Sequence, residues 1–139
     1  HVLQPVEVFK TNSRRIDSGF VAYSLGNFVS NQRWRYSDSA VLLNFEIIKN
    51  IQTNKCKIGK LSFIPLWVFK GSIDGDLEYK IVPSEICMNE YYPDYFSESD
   101  KLMLKESFYD TVEVMQRWTK NIKIYSIINV LDYLKNIRY

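Results

Sequence analysis

Histidine is nearly absent from this chain: there is one, His1, in 139 residues. A complete metal site therefore cannot be assembled by inspection, since imidazole is the commonest protein ligand and the carboxylates are scattered. Cysteine is almost as scarce. Cys56 and Cys87 lie far apart and neither belongs to a CxxC pair, which argues against a zinc ribbon or a thioredoxin-type site. They read as two small buried hydrophobes, with a single disulfide as the lesser alternative. Excess charge is missing too: 18 Lys and Arg against 16 Asp and Glu give a net +2, too little for a strong pull toward nucleic acid. No apolar run has the length needed to span a bilayer, and no basic start followed by an apolar stretch marks a signal peptide. GxSxG, Walker and GxGxxG patterns do not occur, so the familiar nucleophile and phosphate loops are excluded.

What is present is the composition of one globular domain with a real core, 46% hydrophobic and 15% aromatic. The first residue already lies inside a strand-like run, with no cap, linker or initiating methionine before it. That predicts a chain that is the C-terminal part of something longer.

Residues 2–9 alternate as a strand, with Pro5 predicting an edge or a bulge. Lys10 to Gly19 is a polar, hairpin-like connection. Phe20 to Leu25 follows as a more apolar strand, stopped by Gly26-Asn27, which tolerate positive φ. Val29 to Ser39 is a loop centred on Arg33-Trp34-Arg35-Tyr36. Ala40 to Lys49 then places Val41, Leu43, Phe45 and Ile47 on one face and Leu42, Asn44, Glu46 and Ile48 on the other. With a turn near Gln52–Lys55 and a return over Cys56 to Phe69, this predicts a hairpin. Gly59 predicts a bulge and Pro65 an edge or a kink. Gly71 to Asp76 is a turn cluster without the ligand spacing of a calcium loop. Leu77 to Val82 is one more strand.

Beyond Pro93 the period turns helical. Ser97 to Asp100 fits a capping box, and Leu104, Phe108, Val112, Met115, Trp118 and Ile122 form a core-facing stripe. Ser126 to Arg138 predicts a second, shorter helix with Ile127, Leu131 and Leu134 inward. Strands over residues 1–85 followed by two helices over 97–138 describe an α+β layout, or half of a larger layered fold. In the second case one sheet face should be apolar and open.

No catalytic residue can be assigned from these patterns. His1 reads either as a metal ligand or as an ordinary terminal residue. Arg33 and Arg35, interleaved with aromatics, suit a phosphate or anionic polymer, or else a solvated loop.

The order His1-Val-Leu-Gln-Pro-Val-Glu7, Ala22-Tyr-Ser-Leu-Gly-Asn-Phe28, Gln32, the strand Ala40 to Ile48, Ile64-Pro-Leu-Trp-Val68 and Tyr79-Lys-Ile-Val-Pro83 resembles the bacterial capsule-synthesis family of CapA type. That family is associated with poly-γ-glutamate capsules and is similar in fold to calcineurin-type metallophosphoesterases. The resemblance implies the C-terminal portion of a four-layer α/β/β/α sandwich, with divalent metal ions at a cleft and a hydrolytic reaction of phosphoryl or amide-like groups. It implies a metal-ligand role for His1, and a place beside the site for Ser24, Gly26 and Asn27, as support or substrate contacts. It also implies an inactive chain when alone, because the family's other ligand elements are missing. The partners implied are the N-terminal half of the same protein, an anionic capsule polymer or phosphorylated precursor, and other capsule-synthesis proteins. The location implied is the cell envelope, through an anchor in that missing half. A non-catalytic role in capsule assembly or export, with the same cleft binding polymer, is the alternative.

Overall fold

The computed structural model describes residues 2–28 and 30–126. His1 and the second predicted helix beyond Ser126 lie outside the described residues.

Two sheets carry the fold. In the first, β1 (Val6–Lys10) and β2 (Ser18–Ala22) pair antiparallel, Val6 opposite Ala22 and Lys10 opposite Ser18. Pro5 stands just before the ladder begins, where its missing N–H costs nothing. In the second, β3 (Ser39–Asn50), β4 (Lys55–Ile73) and β5 (Asp76–Pro83) run antiparallel in that order. The predicted hairpin is β3 and β4, paired from Asn50–Lys55 to Ser39–Trp67. The register slips between Phe45–Leu61 and Ile47–Ile58. One residue of β3 then faces two of β4, Gly59 and Lys60, so the bulge falls where Gly59 predicted it.

The turn cluster at Gly71 to Asp76 is smaller than the composition suggested. Gly71, Ser72 and Ile73 belong to β4, and Ile73 pairs directly with Asp76. Only Asp74 (φ 54°) and Gly75 (φ 94°) turn the chain, the two positive φ values of a type I′ hairpin.

A 3-10 helix, Ser84–Asn89, follows β5, and α1 covers Glu98–Gln116. The capping box is complete. Ser97 Oγ accepts from the Asp100 N–H at 3.2 Å, and Asp100 Oδ2 accepts from the Ser97 N–H at 2.9 Å. The helix stops short of the predicted stripe, leaving Trp118 and Ile122 beyond it. Thr119 and Asn121 bring side chains that compete with helical hydrogen bonds. Thr119 Oγ donates to the Val6 carbonyl at 2.7 Å instead. The chain then adds β6 (Lys123–Ile124), parallel to β4 at Ser62–Phe63, a strand that the sequence pattern did not predict. Pro65 sits between Phe63, the last β4 residue paired with β6, and Leu66, the first paired with β5.

Directly paired residues share a sheet face, so Phe63, Trp67, Phe69 and Val82 lie together. α1 packs there. Leu104 and Phe108 meet Trp67, Phe69 and Val82, while Val114 and Met115 join Val6, Val41, Phe63 and Ile122. Fully burying each of the larger side chains contributes roughly 1.5–3 kcal/mol. Both cysteines are free thiols; Cys87 is buried in the first cluster as expected, whereas Cys56 is only partly buried and joins neither cluster. The molecule is thus a mixed arrangement of sheets and helix, with α1 and the small sheet on one side of the larger one. Among the described residues no helix is long and apolar enough to cross a membrane.

Candidate functional site

The glycine turn after β2 ties the two sheets together. Gly26 has φ +83°, and a Cβ there would lie 2.2 Å from the Ser39 carbonyl oxygen and 2.9 Å from Ala40 Cα. Only glycine satisfies both conditions. Its close approach lets the Asn27 N–H donate to Ser39 O at 2.8 Å and the Val41 N–H donate to Leu25 O at 2.9 Å.

Asn27 is 1% exposed, and its side chain is used entirely inside the loop. Its amide donates to the carbonyls of Ser37 at 2.7 Å, Ser30 at 3.0 Å and Gln32 at 3.0 Å. Its Oδ1 accepts from the Ser30 N–H at 2.7 Å. One buried side chain therefore replaces the secondary structure that the loop lacks. Ser24 is partly buried. Its Oγ accepts from the Gly26 N–H at 3.3 Å, and its carbonyl accepts from the Gln4 N–H at 3.1 Å. The segment before β1 and the Ser24–Asn27 turn thus lie side by side.

Arg33 and Arg35 occupy different environments. Arg35 grips Asp110 with both prongs, Nε to Oδ2 at 2.8 Å and Nη2 to Oδ1 at 2.9 Å, and reaches Glu106 at 3.2 Å. The hydrogen bonds it donates to Asp110 hold its guanidinium above the usual value. Its fork is filled by carboxylates from α1, which makes it a clamp between loop and helix. Arg33 instead lies over the Trp67 ring, 5.0 Å from its centroid, with Nε and Nη1 buried and unpartnered. Burial pulls it below its usual value, opposed by the charges of Asp38 and Asp100.

Sequence reasoning did not reach the polar seam beneath this loop. Asp38 is buried and accepts from Trp67 Nε1 at 2.7 Å. Burial pushes its carboxyl up, against the opposing hydrogen bond from Trp67. Ser39 and Ser107 share a buried 2.8 Å hydrogen bond between the start of β3 and α1. The seam left no local signal, because its partners come from separate elements: Arg35 and Asp110 are 75 residues apart.

Among the described residues no three His, Cys, Asp or Glu side chains converge as metal ligands would. The described donor set does not fit a metal ion. His1 lies outside it. No protein-family model matches the chain, and no curated protein or solved structure is significantly similar to it.

Proposed function

We propose that this chain is part of a capsule-synthesis protein of CapA type, whose cleft is that of a metal-dependent phosphoesterase or hydrolase. In this reading the polymer is poly-γ-glutamate or a related one, and the protein works at the cell envelope, anchored through another part of the same polypeptide. The observation that carries the reading is the apposition of the segment ending at Gln4 with the Ser24–Asn27 turn. The two stretches whose residues bear the resemblance are neighbours, joined by the Gln4–Ser24 hydrogen bond. A loop held by Asn27 from within is suited to present one rigid wall of a cleft.

Because the described residues do not fit a metal, the reading gives this chain a supporting part. Divalent ions would be held by other groups, His1 among them, and Ser24, Gly26 and Asn27 keep the loop beside them in place. The four-layer sandwich belongs to the same proposal. It is supported by the apolar side chains left open on the sheet face away from α1, which a second sheet would cover.

Metal analysis and a phosphodiesterase assay of the full-length polypeptide, beside its His1→Ala variant, test the enzyme reading. Metal-dependent turnover that collapses in the variant is expected. A metal-free protein, or turnover indifferent to His1, overturns it.

A second reading, a non-catalytic module that holds anionic polymer during assembly or export, is favoured by Arg33. That side chain is half-buried over Trp67, and its Nε and Nη1, both buried, have no hydrogen-bond partner among the described residues, so a carboxylate that slips beneath the loop would satisfy them. Polyglutamate binding that weakens steeply with salt and is lost in Arg33→Ala is its expected signature.

A further inference from the structure

At the other end of α1 from Arg33, a second surface carries its own chemistry. The chain leaving the helix crosses β1 and the bulge of β4 before joining the sheet as β6. Two adjoining hollows result, about 350 Å³ and 500 Å³, which share Gly59, Leu61 and Asn121. Lys120 lines the first, and Lys60 and Lys123 line the second. No carboxylate is among the described residues lining either one. Lys60 has only a distant Glu46 at 3.9 Å, and neither Lys120 nor Lys123 has an ion-pair partner among the described residues. Three exposed lysines thus border the hollows, and among the described residues only Lys60 has an acidic neighbour, Glu46, in a chain whose net charge is only +2.

Exposed aromatics stand at both ends. Trp118, 58% exposed, lines the first hollow, and Tyr125 lines the second. Trp118 is exposed yet held. Tyr23 meets its ring edge-on at 5.8 Å and 89°, and Tyr23 is itself fixed by a 2.9 Å hydrogen bond from its hydroxyl to Glu7. An indole oriented in this way is pre-organised and loses little entropy on meeting a ligand. Asn121 and Ser62 add neutral hydrogen-bonding groups between the rings.

We propose that this groove binds a linear acidic polysaccharide, a chain of uronic acid units. A pyranose ring has a flat C–H face that fits the indole and a hydroxyl rim that suits the amide and hydroxyl of Asn121 and Ser62. Its carboxylates, repeated along the chain, answer the three lysines. An acidic polypeptide offers the carboxylates without the ring face. A nucleic acid calls for a larger positive field than this chain carries. The inference rests on neither reading of the Ser24–Asn27 region.

Calorimetric titration of the full chain with polygalacturonate at low salt is the test, with polyglutamate, single-stranded DNA and a neutral glucan as competitors. Polygalacturonate should bind best, and more weakly as salt rises. Trp118→Ala should weaken it about tenfold, as for a well-packed aromatic anchor. Lys120→Gln with Lys123→Gln should weaken it at least as much and flatten the salt dependence. All three side chains are exposed, so an unchanged near-ultraviolet circular dichroism spectrum is expected and separates loss of binding from loss of fold. No binding, equal binding of the neutral glucan, or variants that bind like the parent would overturn the proposal. Polyglutamate or DNA bound as tightly as polygalacturonate would overturn the sugar-stacking part, leaving a plain electrostatic surface.

Discussion

At the scale of single residues, Asn27 does the most with the least. It braces the loop between β2 and β3, its amide reaching three carbonyls and accepting from one N–H, all from a site closed to water. Truncating it leaves those groups buried or forces the loop open. Asn27→Ala should therefore cost about 3 kcal/mol, since each unsatisfied buried group costs roughly 1–3 kcal/mol. Denaturant unfolding measures this, and a loss below about 0.5 kcal/mol, the ordinary surface range, would show that the loop is held by something else. The sequence pointed to Asn27 because it follows a glycine at a strand end, but the same pattern fits a ligand contact as well as an internal brace. What decides between them is burial, which depends on Ser37 and Ser39 folding back over it. Arg35 teaches the same lesson: its RWRY surroundings suggest an anion site, while its carboxylates arrive from a helix far along the chain.

At the scale of elements, local signals were strong wherever local physics dominates. The alternation of Val41, Leu43 and Phe45 defines the β3–β4 hairpin, Gly59 marks the bulge, and Ser97 with Asp100 marks the start of α1. The end of α1 was less legible. Trp118 and Ile122 continue the helical spacing, but the helix ends because Thr119 finds its partner in β1, a tertiary contact that periodicity cannot contain. β6 is missed for the same reason, being two residues long and defined only by its neighbour β4. The cap offers a clean check of how far local chemistry holds the helix. Ser97→Ala removes one side of the reciprocal pair and should lower stability by about 1 kcal/mol. Ser97→Thr should restore most of it, because a hydroxyl keeps both the acceptor for the Asp100 N–H and the donor to the Asp100 carboxylate. If alanine and threonine behave alike in thermal unfolding, the capping box is not what starts the helix.

At the scale of the whole molecule, the larger sheet is covered unevenly. Its α1 face holds Phe63, Trp67 and Phe69, all buried. On the opposite face the loop through Asn31 accepts hydrogen bonds from Lys70 and Tyr79, and Leu66 and Val68 are buried. Beyond them the same face carries Leu42, Leu77, Tyr79 and Ile81 in the open, Leu77 being 65% exposed. An open apolar face is what was expected of this chain if it is half of a larger layered fold. Such a row on β5, which pairs only with β4 among the described strands, is a template for association. The isolated chain should therefore self-associate as concentration rises, and sedimentation velocity should resolve it. Leu77→Thr with Ile81→Thr keeps strand propensity while removing apolar area, so it should shift the chain toward monomer. The melting temperature measured on that monomer should fall only modestly, because Leu77 is largely exposed and Ile81 is partly so. A parent chain that stays monomeric throughout would mean that the open face needs no cover, and would remove the main physical support for a second sheet packed against it.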